Sequence, residues 1–234
     1  MKTPVTPRDQ VRSGATPVRV FILSDHSLVR QGLKDLLEHE GFQVTGEGGS
    51  AEEARRLIPA LNPDVAILDE RVPDGTVIEV CRDLHSTAPT VKCLILTGWD
   101  EQHGVRAAVL AGASGYVVKR AGDNEGLVNC VRAAAAGRSL LEPRLRQLVA
   151  ESLSAAVGAL WLEAMSVQER KVFTLMALGL TNRQIELEMA VSPDTVARCV
   201  SSVLQKLGFS QPDHLTPAGA PHMVPGSCCP SVWS

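Results

Sequence analysis

Four short apolar runs of this sequence each end on side chains that can do oxygen or charge chemistry. Val18–Leu23 is followed by Ser24 and Asp25, Val65–Leu68 by Asp69, Val91–Leu96 by Thr97, and Gly115–Val118 by Lys119. Two carboxylates, a hydroxyl and a lysine brought to one place make a small oxygen-rich site. Paired carboxylates bind Mg²⁺ through hard oxygen ligands, with waters completing the octahedron. The metal and the lysine would neutralise a phosphoryl group arriving on one carboxylate, and carboxylates do accept phosphoryl groups. Asp69 is the natural nucleophile, because it ends the run that reads as the central strand. Thr97 would then hydrogen-bond the new phosphoryl oxygens and pass the event to neighbouring helices. Taken singly, a strand-end aspartate is more often a helix cap and a strand-end lysine a solvated charge. Their order on successive strands is what carries the reading.

The elements that must position these residues are legible. Helix-period stretches at roughly 27–39, 51–60, 76–86, 101–111 and 124–136 alternate with the apolar runs, including a further run at Phe42–Glu47. Alternating strands and helices indicate βαβ units and a parallel sheet. The unbroken apolar character of Val65–Leu68 and Val91–Leu96 fits strands covered on both faces. Ser50 with Glu53 predicts a capping box at the second helix. Five such units in about 120 residues have the size of a flavodoxin-like, doubly wound α/β domain, assigned to residues 18–137. In such a sheet a ligand sits beyond the carboxyl ends of the strands, where the four residues fall.

Residues 138–163 read as a linker, helical around Leu145–Leu162. Residues 164–209 form a small all-α domain. Ser166 with Glu169 and Thr181 with Gln184 are capping boxes, and Gly179 stops the first helix. Ser192-Pro193-Asp194 supplies an N-cap, a proline at the first helical position and an acid at the positive helix end. Two short helices joined by the tight Ala190-Val191 turn make a helix-turn-helix. Residues 1–17 read as a flexible lead. Prolines at 212, 217, 221, 225 and 230 make residues 210–234 a disordered tail.

These motifs resemble a known family. Leu68-Asp69-Glu70-Arg71-Val72-Pro73-Asp74-Gly75 and Ala111-Gly112-Ala113-Ser114-Gly115-Tyr116-Val117-Val118-Lys119 are similar to the receiver domain of two-component response regulators. Gly179-Leu180-Thr181-Asn182-Arg183-Gln184-Ile185, Thr195-Val196 and Leu204-Gln205-Lys206-Leu207-Gly208 are similar to the LuxR-type helix-turn-helix. Together they resemble the NarL/FixJ subfamily over about residues 18–209. The resemblance implies phosphorylation of Asp69 by a sensor histidine kinase, homodimerisation, and control of transcription through double-stranded promoter DNA. It implies Mg²⁺ held by Asp25, Asp69 and the main-chain carbonyl of Arg71, and Tyr116 as a switch aromatic beside Thr97 and Lys119. DNA contacts would come from Arg198, Ser201, Thr195, Arg183 and Lys206, with Arg198 the principal one.

Three departures from the family pattern carry expectations of their own. Ser24 stands where receivers usually carry a second acid, so Mg²⁺ binding should be weakened. Asp194 and Ala197 stand where lysines are frequent, and residues 160–210 hold five cations against five acids. Phosphate contacts supply most nonspecific DNA affinity, so binding should be weak and salt-sensitive. The proline-rich tail replaces the family's fourth helix, leaving dimerisation to the receiver or the linker. The second and third departures suggest an alternative: a regulator acting through mixed dimers, with little DNA binding of its own.

Composition bounds the rest. The net charge of −3 announces no global attraction to nucleic acid, and 3% aromatic residues leave few platforms for stacking single strands. The scattered cysteines, Cys81, Cys93, Cys130, Cys199, Cys228 and Cys229, lack metal-site spacing and read as small apolar residues in a reducing compartment. No apolar run approaches the ~20 residues that span a bilayer, so a soluble cytoplasmic protein is expected. An enzyme is not expected: a haloacid-dehalogenase-type phosphatase needs a second acid where Arg71 stands, and no Gly-rich phosphate loop or Ser-His-Asp set is present.

Overall fold

A computed structural model describes residues 16–98, 101–119, 124–141, 144, 147 and 164–209. Strands β1 (Arg19–Leu23), β2 (Gln43–Gly48), β3 (Val65–Asp69), β4 (Lys92–Thr97) and β5 (Gly115–Val118) alternate with helices α1 (Ser27–His39), α2 (Ala51–Leu61), α3 (Val77–Thr87), α4 (Glu101–Ala111) and α5 (Asn124–Ala135). All strand pairs are parallel and the order is β2-β1-β3-β4-β5. This is the flavodoxin-like order, whose switch point lies between β1 and β3. Apart from residue 147, which is helical, the helix expected at 145–162 lies outside the described residues, as do the lead to residue 15 and the tail from 210.

Alternation along the central strands builds the core on both faces. Val20, Ile22, Val65, Ile67, Leu94 and Leu96 pack with Leu37 of α1 and with Leu127, Val128 and Val131 of α5. Phe21, Leu23, Ala66, Leu68, Cys93 and Ile95 point the other way, toward α2, α3 and α4. Strands covered on both faces need apolar residues at every position, which is why these runs are unbroken. Of the described cysteines, Cys81 and Cys93 are buried as expected, whereas Cys130 and Cys199 are only half-buried.

The C-terminal part contains α6 (Val167–Ala177), α7 (Asn182–Met189) and α8 (Pro193–Lys206). Complete capping boxes open α6 and α7, and the Ser192 hydroxyl accepts from the Thr195 N–H at the start of α8. Gly179 takes φ +85° just after α6, the left-handed conformation that ends a helix. The α2 cap differs from expectation. Ser50 accepts from the Glu53 N–H, but the Glu53 carboxylate turns to the Gly49 N–H at 2.7 Å, so the box is half formed. The turn expected at Ala190-Val191 is present, and Ala190 takes the left-handed φ of 51° that closes it between α7 and α8.

The two parts share one apolar cluster. The α2–α4 face of the sheet runs on into Met165, Val172, Phe173, Met176, Ile185, Val196, Val200, Val203 and Leu204. Helix α3 packs on α7, and α4 packs on α6.

Candidate phosphoacceptor pocket and recognition helix

Strand β3 ends in Asp69, whose side chain is 1% exposed at the carboxyl edge of the sheet. A buried carboxylate is costly unless donors face it. The Ser24 hydroxyl donates to Asp69 Oδ2 at 2.7 Å and Lys119 Nζ to Oδ1 at 2.6 Å, with the Arg71 N–H at 3.4 Å. Ser24 is itself fully buried, its N–H bonded to the Gly48 carbonyl. Asp25 lies more exposed, with Oδ1 2.5 Å from His26 Nδ1. Thr97 ends β4 and is buried, and its carbonyl accepts from the Lys119 N–H at 2.7 Å. The structure therefore brings Ser24, Asp69, Thr97 and Lys119 to one edge, with Asp25 beside them. Among the described residues no group of three or more His, Cys, Asp or Glu side chains is arranged to hold a metal.

Two residues at this edge escaped the sequence reading. Glu70 sends Oε2 to the Thr97 hydroxyl at 2.5 Å and to the Gly98 N–H at 2.9 Å. Its place directly after Asp69 was the only signal. Gly104 on α4 is the second. A methyl group there would lie 3.1 Å from both Thr97 Cγ2 and Tyr116 Cδ2, so glycine lets α4 sit directly on Thr97 and the half-buried Tyr116. The loop after β3 is tied down by Asp74, which accepts from the Ala51 and Glu52 N–H groups at 2.6 and 2.9 Å. Burial would raise the pKa of that carboxyl, but the backbone donors outweigh it and hold it below the usual value.

The expected DNA-contacting residues are distributed over α7 and α8. Arg198 and Ser201 lie on the exposed side of α8 with Asp194, Ala197 and Gln205. Thr195 Oγ1 lies 2.9 Å from Ser192 Oγ at the cap. Arg183 pairs with Glu186 at 3.0 Å one turn along α7. Lys206 is engaged within the helical part, its Nζ 2.8 and 2.7 Å from the two oxygens of Glu169. Lys206 first, then the Ser202 hydroxyl and the Ser166 N–H, bring the Glu169 pKa down to about 2. Glu169 thus caps α6 and clamps α8 with one carboxylate.

Ser201, on the exposed side of α8, reaches the first domain. Ser201 Oγ donates to Glu79 Oε1 at 2.5 Å, while Glu79 Oε2 serves the Thr76 cap of α3. Beside it Arg82, 2% exposed, donates to the Leu110 carbonyl at 2.7 Å within the first domain. It also crosses to the Leu180 carbonyl at 2.9 Å and to Asn182 Oδ1 at 2.8 Å. Burial lowers its pKa to about 10, which still leaves it charged at neutral pH. A charged residue in the apolar stripe Ile78-Cys81-Arg82 was visible in the sequence, but its partners were not.

Comparison with known proteins agrees with this architecture. The response regulator receiver domain family matches residues 20–132, and the family of bacterial regulatory proteins of the luxR type matches residues 163–216. The DNA-binding transcriptional activator DevR/DosR of Mycobacterium tuberculosis is 45% identical over 83% of this chain and 90% of its own length. The nitrate/nitrite response regulator protein NarP of Escherichia coli is 32% identical over 82% and 90%. The solved two-component response regulator of the LuxR family from Aurantimonas sp. is 33% identical with a TM-score of 0.51, covering 59% of this chain and 99% of that one. The relatives named are regulators of transcription and its signalling, and receiver domains generally bind Mg²⁺ at their acidic site. Among the described residues no helix is long and apolar enough to cross a membrane. The chain belongs to the two-component response regulators that join a receiver domain to a LuxR-type DNA-binding domain.

Proposed function

We propose that this response regulator accepts a phosphoryl group on Asp69 from a sensor histidine kinase, and that the event controls promoter binding by α8. The observation that carries the reading is the buried Asp69 carboxylate at the end of the central strand, with Lys119 Nζ at 2.6 Å and Thr97 on the adjacent strand. Asp69 attacks phosphorus, the bond from phosphorus to the donor histidine nitrogen breaks, and that nitrogen keeps the electron pair. Lys119 follows the charge from the carboxylate to the new phosphoryl oxygens. Thr97 and Tyr116, packed under Gly104, transmit the change to α4.

Mg²⁺ suits this donor set: Asp25, Asp69 and the Arg71 carbonyl are oxygen ligands of the hard type. Ser24 contributes a neutral hydroxyl where a further carboxylate would bind the ion more strongly, so the affinity is low. When bound, the ion neutralises charge on the transferred phosphoryl group.

The target is double-stranded promoter DNA, bound as a homodimer in the cytoplasm, with Arg198 the main contact and Ser201, Thr195, Arg183 and Lys206 accessory. The receiver spans 18–137 and the DNA-binding domain 164–209. A second reading, action through mixed dimers with little DNA binding, draws on the pairing of Lys206 and Arg183 with acids of their own domain. Acetyl phosphate treatment with intact-mass detection tests the first step. Wild type gains one phosphoryl mass and Asp69→Asn gains none. Footprinting the phosphorylated protein on its own promoter region separates the readings, since mixed-dimer action predicts no specific protection.

A further inference from the structure

The two donors best placed to greet a phosphoryl oxygen beside Asp69 are already occupied. The Thr97 hydroxyl and the Gly98 N–H converge on one oxygen of Glu70, at 2.5 and 2.9 Å. Glu70 is anchored for this, because its own N–H continues the ladder to the Leu96 carbonyl at 3.0 Å. Its carboxylate stands outside the charge set of the acceptor: Lys119 and Ser24 both serve Asp69. A hydrogen bond to a charged acceptor is worth more than a neutral one, so this grip on Thr97 is not incidental. Thr97 in turn supports α4 through the close contact at Gly104, with Tyr116 alongside.

We infer that Glu70 is an internal competitor for the Thr97 hydroxyl and the Gly98 amide, holding Thr97 and Gly98 in their resting arrangement until a phosphoryl group displaces it. The inference rests on Asp69 being the phosphoacceptor. The alternative role for such a carboxylate is a permanent phosphoryl mimic. The resting role is favoured because the Glu70 contacts coexist with the docked domains, where Arg82 and Glu79 hold α7 and α8. Glu70 is thus a positioning residue, setting the threshold at which a phosphoryl group captures Thr97.

The test uses the full chain, wild type and Glu70→Gln, titrated with beryllofluoride in Mg²⁺ as a stable phosphoryl analogue. Hydrogen exchange of Gly98 and of α4 reports the conformational response, and acetyl phosphate labelling of Asp69 is followed by mass. Glu70→Gln should reach half-response at about tenfold lower beryllofluoride, the worth of one charge-assisted hydrogen bond over a neutral one. Glu70→Ala, which removes the acceptor altogether, should shift the half-response at least as far, which guards against a folding defect peculiar to one variant. Superimposable titrations, with Asp69 labelled normally, would overturn the role of Glu70 and leave the phosphoacceptor standing. An α4 response already complete in wild type and lost in Glu70→Gln would show a mimic, and overturn it as well. Failure of wild type to take either phosphoryl group or beryllofluoride would remove the phosphoacceptor reading, and this inference with it.

Discussion

Replacing Arg82 by methionine should release the DNA-binding domain without any phosphoryl group. The substitution keeps most of the apolar stem that packs in the shared cluster and removes the guanidinium. Two of its three hydrogen bonds cross between domains, to the Leu180 carbonyl and to Asn182 Oδ1. When the domains separate, these groups regain water, so each bond contributes about 1 to 1.5 kcal/mol net to closure. Methionine also leaves the Leu180 carbonyl and the Asn182 amide facing an apolar group in the docked state, costing about 1 kcal/mol more. The docked state should therefore lose about 3 to 4 kcal/mol, which multiplies the open-to-docked ratio by roughly 150 to 1,000. Apparent DNA affinity rises only until the open form is the majority, so the observed gain is capped by the wild-type ratio. Gel shifts of unphosphorylated protein at fixed salt measure the gain, and small-angle scattering of the same samples measures the opening. The lost bond to the Leu110 carbonyl lies inside the receiver, so thermal melting must accompany both. A folded Arg82→Met protein with wild-type scattering and DNA affinity would refute the argument that this guanidinium holds the domains together.

Other substitutions test separate parts of the site. Ser24→Asp should tighten Mg²⁺ binding by about tenfold or more, because it places a carboxylate beside the ion. The same change should lower the metal-free melting temperature by setting a like charge against Asp69. Calorimetric titration showing unchanged Mg²⁺ affinity would count against the assigned ligand set. Arg198→Ala should weaken DNA binding about tenfold and reduce the salt slope by about one, whereas Lys206→Ala should act mainly on stability because its amine is spent on Glu169. Equal losses of DNA affinity in the two variants would reverse that ranking. Glu169 supplies a pH dependence. With a folded pKa of about 2 against an ordinary 4.5, its contribution is complete above pH 4.5 and is lost as the pH falls through about 2. That contribution is about 3 kcal/mol at most, so Glu169→Gln should flatten the acid limb of unfolding. Coincident acid curves for the two proteins would rule it out.

What could be read from the sequence was local in origin. Asp69, Thr97 and Lys119 could be placed because each interrupts an apolar run at the point where a strand leaves the core. The boxes at Ser166 and Thr181 could be placed because capping acts over three residues. Glu53 shows the limit of such reasoning: its carboxylate had two backbone N–H groups in reach, and the turn geometry chose Gly49 over Ser50. Glu70 and Gly104 were invisible because their roles depend on where the end of β4 lies beside β3 and on how α4 lies against β4 and β5. Arg82 finds partners 98 and 100 residues away, across a boundary that no periodicity spans. The cation count for the DNA-binding domain was legible, but the commitment of Lys206 to Glu169 needed the packing of α6 on α8.

Ser24 changes what the resting pocket contributes to the fold. A carboxylate in its place would face Asp69 as a rival charge, and the two would stay together only under strain or with an ion between them. The hydroxyl instead hands Asp69 a proton donor, and among the described residues no buried side-chain nitrogen or oxygen lacks a partner. The pocket therefore rests without stored repulsion, and little free energy waits there for a phosphoryl group to release. A switch built this way must keep its reserve elsewhere. With Asp69 as the proposed phosphoacceptor, the reserve would lie in contacts that have to be broken, at Thr97 and between the domains, and not in a site that strains to be filled.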